Sequence, residues 1–218
     1  MKYFSIAVDG PSASGKSSIC KVLAKRLNIN HLSSGSLYRA ISLYLINNNI
    51  KDTEVEKYLN KINIEVKFVN FLQKIYLNSV DVTEKLETNE ISMLSSKISP
   101  INCVREYVKN IQRSLTKTQN IIIDGRDITS VVLKDAKYKF FLTASVEVRA
   151  KRRYLQYGKT IPLQKIIDDI KLRDERDYSR KISPLIKTPD SIEIDCSNLN
   201  LEQTVEEMLK YIEEYKGI

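Results

Sequence analysis

The chain carries the run Gly10-Pro11-Ser12-Ala13-Ser14-Gly15-Lys16-Ser17, which fits the pattern G-x-x-x-x-G-K-[ST]. A loop of this kind cradles phosphate oxygens with its backbone N–H groups. Its lysine reaches the β- and γ-phosphates, and its terminal hydroxyl can hold Mg2+. The pattern has that meaning only between a strand and a helix, and both are readable. Before it, Tyr3-Phe4-Ser5-Ile6-Ala7-Val8 suits a buried strand, broken by Asp9-Gly10-Pro11. After it, Ile19, Val22, Leu23 and Leu27 recur at helical spacing, so the loop's N–H groups converge at a helix N-terminus whose dipole also favours phosphate. The motif points to a nucleotide, not to a particular reaction.

Three further groups narrow the chemistry. The run Ser33-Ser34-Gly35-Ser36-Leu37-Tyr38-Arg39 follows a short strand at Asn30-His31-Leu32 and opens a helix, with Ser34 and Gly35 as the cap and Arg39 one turn inside. On its own this is an ordinary helix start. The run Asp124-Gly125-Arg126-Asp127 ends the apolar stretch Asn120-Ile121-Ile122-Ile123, a buried parallel strand whose carboxyl end is where such sheets bind ligands. There Asp124 can help hold a Mg2+ water shell, Arg126 can meet transferring phosphate oxygens, and Asp127 can accept from an exocyclic amine. Last, Arg173, Arg176, Asp177 and Arg180 fall at i, i+3, i+4 and i+7, on one helical face. In isolation that is a salt-bridged solvent face; beside a phosphate loop it makes better sense as a clamp for two phosphorylated ligands.

Alternating strands and helices must position these groups. Helical spacing covers Ser36 to Asn47, a region from Glu84, and Val104 to Leu115 beyond Pro100. A small antiparallel hairpin is predicted from Ile62 to Val69 and Lys74 to Leu77, turning near Asn70. Lys139-Phe140-Phe141-Leu142 and Ser191 to Asp195 read as further strands. Helices follow around Val146, Ala150 and Leu155, from Leu163 to Tyr178 after the loop Tyr157 to Pro162, and from Leu201 to Tyr215. This rhythm predicts an α/β fold with a parallel sheet covered on both faces.

With 218 residues, 42% of them hydrophobic, and only 6 Gly and 5 Pro, the chain can bury one core with insertions. No signal-peptide core or membrane-length span is evident, so a soluble, cytoplasmic protein is expected. Cys20, Cys103 and Cys196 are too widely spaced for a disulfide framework or a metal site and read as buried thiols. A net charge of +8 suits anionic ligands. His31 reads as structural: a phosphate acceptor has a second pKa of about 6 and is already ionised near pH 7, so no general base is needed.

Together these motifs resemble the bacterial cytidylate kinases, members of the nucleoside monophosphate kinases, over nearly the whole chain. The resemblance implies a P-loop kinase core of five parallel strands in the order 2-3-1-4-5 within a single domain 1–218. It also implies an inserted monophosphate-binding lobe with a small antiparallel sheet at 36–98 and a short lid at 156–162. It implies transfer from ATP to CMP, and to dCMP, with Mg2+ held by Ser17 and, through water, by Asp124. Gly10, Pro11, Ser12, Ala13, Ser14, Gly15, Lys16, Ser17 and Ser18 would bind ATP. Ser34, Gly35 and Arg39 would bind the acceptor nucleotide, Ser96, Arg105 and Asp127 would read cytosine, and Arg173 and Asp177 would hold the ribose. Arg126 and Arg180 would contact phosphates, with Lys16 completing the catalytic set. One or two charges of the run Arg149, Lys151, Arg152, Arg153 would touch ATP. The family usually has Asp at the position of Ser33, a small residue such as Ala at Ser36 and commonly Gly at Thr129; Ser33 is expected to keep the capping role of Asp.

Competing functions predict other residues. A regulatory GTPase would carry N/T-K-x-D, and Lys117-Thr118-Gln119 lacks the acid. An RNA-binding ATPase would show a basic segment interleaved with aromatic residues, and none is present. A kinase preferring UMP is the nearest alternative. The expected partners are therefore small nucleotides acting on a monomer, with neither nucleic acid nor membrane.

Overall fold

The computed structural model describes residues 3–214. The phosphate loop joins β1 (Ser5–Asp9) to α1 (Lys16–Leu27), and β2 (Asn30–Ser33) leads directly into α2 (Ser34–Asn47). A short helix α3 (Val55–Tyr58) precedes the hairpin of β3 (Ile64–Val69) and β4 (Leu72–Leu77), and the two-residue β5 (Val80–Asp81) follows. Helices α4 (Asn89–Ile98) and α5 (Asn102–Thr116) return the chain to the central strand β6 (Ile121–Asp124). Then come β7 (Tyr138–Thr143), α6 (Val146–Gln156), α7 (Leu163–Ser179), β8 (Ile192–Asp195) and α8 (Leu201–Glu214). Of the helix predicted to close the chain, Tyr215 lies outside the described residues.

One mixed sheet runs β3-β4-β2-β6-β1-β7-β8, with β5 beside β4. The stretch β2-β6-β1-β7-β8 is parallel throughout. Its strands are near-continuous apolar runs because both faces are covered. Ile6, Val8 and Ile122 pack with Leu23 of α1 and Met208 of α8, whereas Ala7, Ile121 and Ile123 pack with Ile41 of α2 and Val108 of α5. The antiparallel strands do not form a separate small sheet. They extend the parallel one through a single β2–β4 register pair, His31 with Leu72, where the His31 N–H donates to the Phe71 carbonyl at 2.9 Å. The hairpin thereby covers what would be the open edge of β2. It turns at Asn70 and Phe71, both at positive φ, a conformation that matches the strands' twist.

Asp9 ends β1 rather than breaking it. Its carboxylate accepts from the Ile128 N–H at 2.9 Å, the Thr129 N–H at 2.7 Å and the Thr129 hydroxyl at 2.7 Å, so a charge-bearing group sits fully buried with three donors. Burial still raises its pKa to about 6. Cys20 and Cys196 are buried and Cys103 half-buried, all three as free thiols.

Candidate active site

The phosphate loop is fixed by close packing at its first glycine. Gly10 has φ +151°, and a Cβ there would lie 2.0 Å from the Leu142 carbonyl oxygen, so no other residue fits against β7. Gly15, at φ +93°, heads α1. Residues 12–18 line a cleft of about 1160 Å³, while Gly10 and Pro11 lie behind it. Their carbonyls accept from Lys16 Nζ at 2.7 Å each, and Ser14 Oγ lies 3.1 Å from the same nitrogen. Burial, reinforced by the charge of Arg126, lowers the Lys16 pKa to about 7. An arriving phosphate would restore the ammonium's advantage.

Oxygen donors converge beside this lysine. Ser17 Oγ donates to Asp124 Oδ2 at 3.0 Å, and Ser33 Oγ lies 3.4 Å from the Ser17 hydroxyl and 3.5 Å from Asp124 Oδ2. The other Asp124 oxygen meets His31 Nε2 at 2.7 Å. Burial would raise the acid, but the His31 contact, Lys16 and the Ser17 hydroxyl outweigh it and hold Asp124 below the usual carboxylate range. His31 is fully buried and orients this acid, which is more than filling space.

The acceptor loop departs from its predicted capping. Ser33, not Ser34 with Gly35, holds the cap position of α2, and its hydroxyl makes no capping bond because it faces Ser17 and Asp124 instead. Its N–H donates to Gln73 Oε1 at 2.8 Å, and Gln73 Nε2 donates to Ser36 Oγ at 2.6 Å. Gln73 of β4 therefore ties the hairpin to this loop; a single glutamine in a strand carries no local signal. Ser34, Gly35 and Arg39 line the cleft, with Arg39 Nη1 on Glu87 Oε1 at 2.8 Å.

Ser96, Arg105 and Asp127 line the same cleft. The Arg105 guanidinium donates to Asp127 Oδ2, to the Ser99 carbonyl at 2.9 Å and to Ser183 Oγ at 3.2 Å. Ser96 Oγ donates to the Ser92 carbonyl of its own helix at 3.1 Å. Arg126 Nε donates to Asp177 Oδ2 at 2.7 Å and Arg180 Nη1 lies 3.7 Å from Asp177 Oδ1, all three lining the cleft. Burial opposes ionisation of Asp177, yet Arg126 and its neighbours keep its pKa low. Burial and the nearby charge of Arg126 lower Arg173 to about 10, the signature of cations crowded together with too few acids.

The predicted four-residue face needs correcting. Arg173, Asp177 and Arg180 line the cleft, but Arg176 is exposed and outside it, about 100° round the helix from Asp177. Helix α7 ends at Ser179, so Arg180 is placed by extended backbone instead of helical spacing. In the basic run, Arg152 and Arg153 line the cleft and Lys151 is exposed. Arg149 is buried against Asp174 Oδ2 at 2.5 Å.

A phosphate loop after the first strand of a parallel α/β sheet, sharing a cleft with a second arginine-rich subsite, defines a P-loop kinase. The cytidylate kinase family model matches residues 6–214, and the chain belongs to that family. It is 44% identical over 216 residues to a cytidylate kinase from Caldicellulosiruptor saccharolyticus, covering 96% of each chain. Among solved structures, an uncharacterized protein from Eubacterium ventriosum superposes with a TM-score of 0.59 at 15% identity, covering 96% of this chain and 98% of that one. A shikimate kinase from Acinetobacter baumannii in complex with shikimate gives 0.50 at 14% identity, covering 98% and 95%; both likenesses are of fold.

Proposed function

We propose that the protein transfers the γ-phosphoryl group of ATP to the phosphate of CMP, forming ADP and CDP, and that it accepts dCMP as well. The observation that carries this reading is one cleft lined both by the phosphate loop and by Ser96, Arg105 and Asp127. Its volume exceeds the ~1,000 Å³ upper range of single-ligand pockets, which suits two nucleotides meeting phosphate to phosphate.

The acceptor oxygen is already anionic, so the protein's task is alignment and charge neutralisation. The phosphate loop would hold the ATP phosphates while Lys16 leaves its own loop carbonyls for the β- and γ-oxygens. Arg126 and Arg180, with Asp177 tuning both, would sit beside the group in flight, and Arg39 would exchange Glu87 for the CMP phosphate. Arg173 and Asp177 would hold the CMP ribose. Ser17 and Asp124, joined by Ser33, form a cluster of hard oxygen donors that fits Mg2+, with room for the waters that ion keeps. Ser17 and, through water, Asp124 would hold the ion, which would supply neutralisation of the charge that develops on the ATP phosphates. Movement of the lobe 36–98 and of the loop 156–162 over the nucleotides would exclude water, which otherwise hydrolyses ATP.

A coupled assay of ADP release with CMP, dCMP, UMP, AMP and GMP tests this reading. CMP and dCMP should be turned over with the highest kcat/KM; preference for UMP would move the protein to a different acceptor.

A further inference from the structure

We propose that Cys20, His31 and Asp124 form a buried site for one thiophilic divalent cation of the zinc type, and that its occupation takes Asp124 away from Ser17. The Cys20 thiol on α1, a ring nitrogen of His31 on β2 and a carboxylate oxygen of Asp124 on β6 all lie within 4.8 Å of one another. Cys20 and His31 are fully enclosed, and Asp124 is 4% exposed. Phosphoryl transfer does not use the thiol, and the imidazole enters it only by orienting Asp124.

A second observation comes from the imidazole. His31 Nδ1 is buried with no hydrogen-bond partner among the described residues. A polar atom left in that state is uncommon and marks a ring with unspent bonding capacity. Sulfur, nitrogen and carboxylate oxygen together are a donor set that zinc takes, whereas Mg2+ selects oxygen and water.

Geometry sets what loading requires. Tetrahedral zinc, with bonds of roughly 2.0 to 2.3 Å, holds its ligand atoms roughly 3.5 Å apart, so the His31–Asp124 pair, 2.7 Å apart, must open while any wider separation within the 4.8 Å cluster closes. Asp124 lines the cleft while Cys20 and His31 lie behind it, so the ion enters past the carboxylate. On binding, the Cys20 thiol loses its proton to solvent, metal bonds to sulfur, nitrogen and oxygen form, the His31–Asp124 hydrogen bond breaks, and the proton on His31 Nε2 moves to the unpartnered Nδ1. A water completes the shell. Because the site shares Asp124 with the oxygen cluster, occupation opposes Mg2+ there; this coupling rests on the Mg2+ role proposed above.

Metal-stripped full-length protein titrated with Co2+ should show a thiolate-to-cobalt charge-transfer band that saturates at one equivalent and is bleached by Zn2+. In Cys20→Ala, Cys20→Ser and His31→Phe, the band should vanish or the apparent Kd rise at least tenfold. Absence of the band, a stoichiometry above one, or a band surviving both Cys20 variants overturns the site. X-ray absorption of the Zn2+-loaded wild type keeps the test independent of variant folding: one sulfur with nitrogen and oxygen neighbours is expected, and a sulfur-free shell overturns it. With free Zn2+ buffered, the Mg2+ needed for half-maximal CDP formation should rise at least fivefold in wild type and not in Cys20→Ala. A cobalt band with unchanged Mg2+ demand would overturn the coupling and the Mg2+ role of Asp124. A missing band with normal Mg2+ demand overturns the zinc-type site alone.

Discussion

Arg149 and Asp174 hold the phosphate loop between them. Asp174 Oδ2 accepts from Arg149 Nη1 at 2.5 Å, Asp174 Oδ1 accepts from the Ser12 N–H at 3.1 Å, and Arg149 Nη1 donates to the Ser12 carbonyl at 2.9 Å. Helices α6 and α7 thus hold the two peptide groups that flank Ser12. Asp174→Asn should leave Arg149 buried without its counter-charge and cost about 3–5 kcal/mol. Urea unfolding measures this, and KM for ATP should rise more than KM for CMP. A loss under about 1 kcal/mol, the range of exposed pairs, would contradict the clamp.

Lys16→Met should fold normally and lose at least tenfold in kcat, because a charged stabiliser of the transferring group is worth at least ~2 kcal/mol. Its stability should also respond to pH in a defined direction. The folded pKa of about 7 lies below the ordinary lysine value of 10.5, so between those values the unfolded chain binds more protons and wild-type stability rises with pH. The variant should lose that rise. Equal slopes from pH 7 to 10 would place Lys16 in a wetter environment.

Asp9 predicts the opposite slope in acid. Its folded pKa of about 6 exceeds the ordinary aspartate value of 3.8, so the folded state holds the extra proton in that window and stability falls as pH rises through it. Measured against Asp9→Asn, which cannot ionise, wild type should lose about 2 kcal/mol between pH 4 and 7. Unfolding curves at four pH values would reveal the trend; a constant difference between the two proteins refutes it.

Asp127→Ala should lower kcat/KM for CMP strongly and for UMP much less. Cytosine offers an N4 amine to the carboxylate, whereas uracil presents O4 there and leaves a buried mismatch of about 1 to 3 kcal/mol. The ratio of the two kcat/KM values is the readout. An equal fall for both substrates would make Asp127 a partner of Arg105 and nothing more.

How legible each part was follows from the range over which its signal acts. The strands Ile121–Asp124 and Tyr138–Thr143 declare themselves as short apolar runs, and the phosphate loop as a contiguous pattern between two elements. Asp174, Gln73 and the His31–Asp124 contact do not. Each depends on a partner far along the chain, as with Asp174 and Ser12, 162 residues apart. The two-residue β5 is too short for alternation to register, and the wide turn over residues 128–132 exists because Asp9 gathers its N–H groups. Helical spacing failed at Arg180 for a local reason: the helix stops one residue earlier.

Strand β6 has a consequence for how damage spreads. Ile121 and Ile123 belong to the core under α2 and α5, Ile122 to the core under α1 and α8, and Asp124 reaches the cleft from the same four residues. The strand works like a reading frame: lengthening it by one residue would turn each side chain to the wrong hemisphere and the acid away from Ser17. Neither hemisphere can melt alone, because each borrows its central wall from the other. A lesion on the acceptor side should therefore weaken the ATP side too, and heating should yield one calorimetric transition whose measured and van't Hoff enthalpies agree.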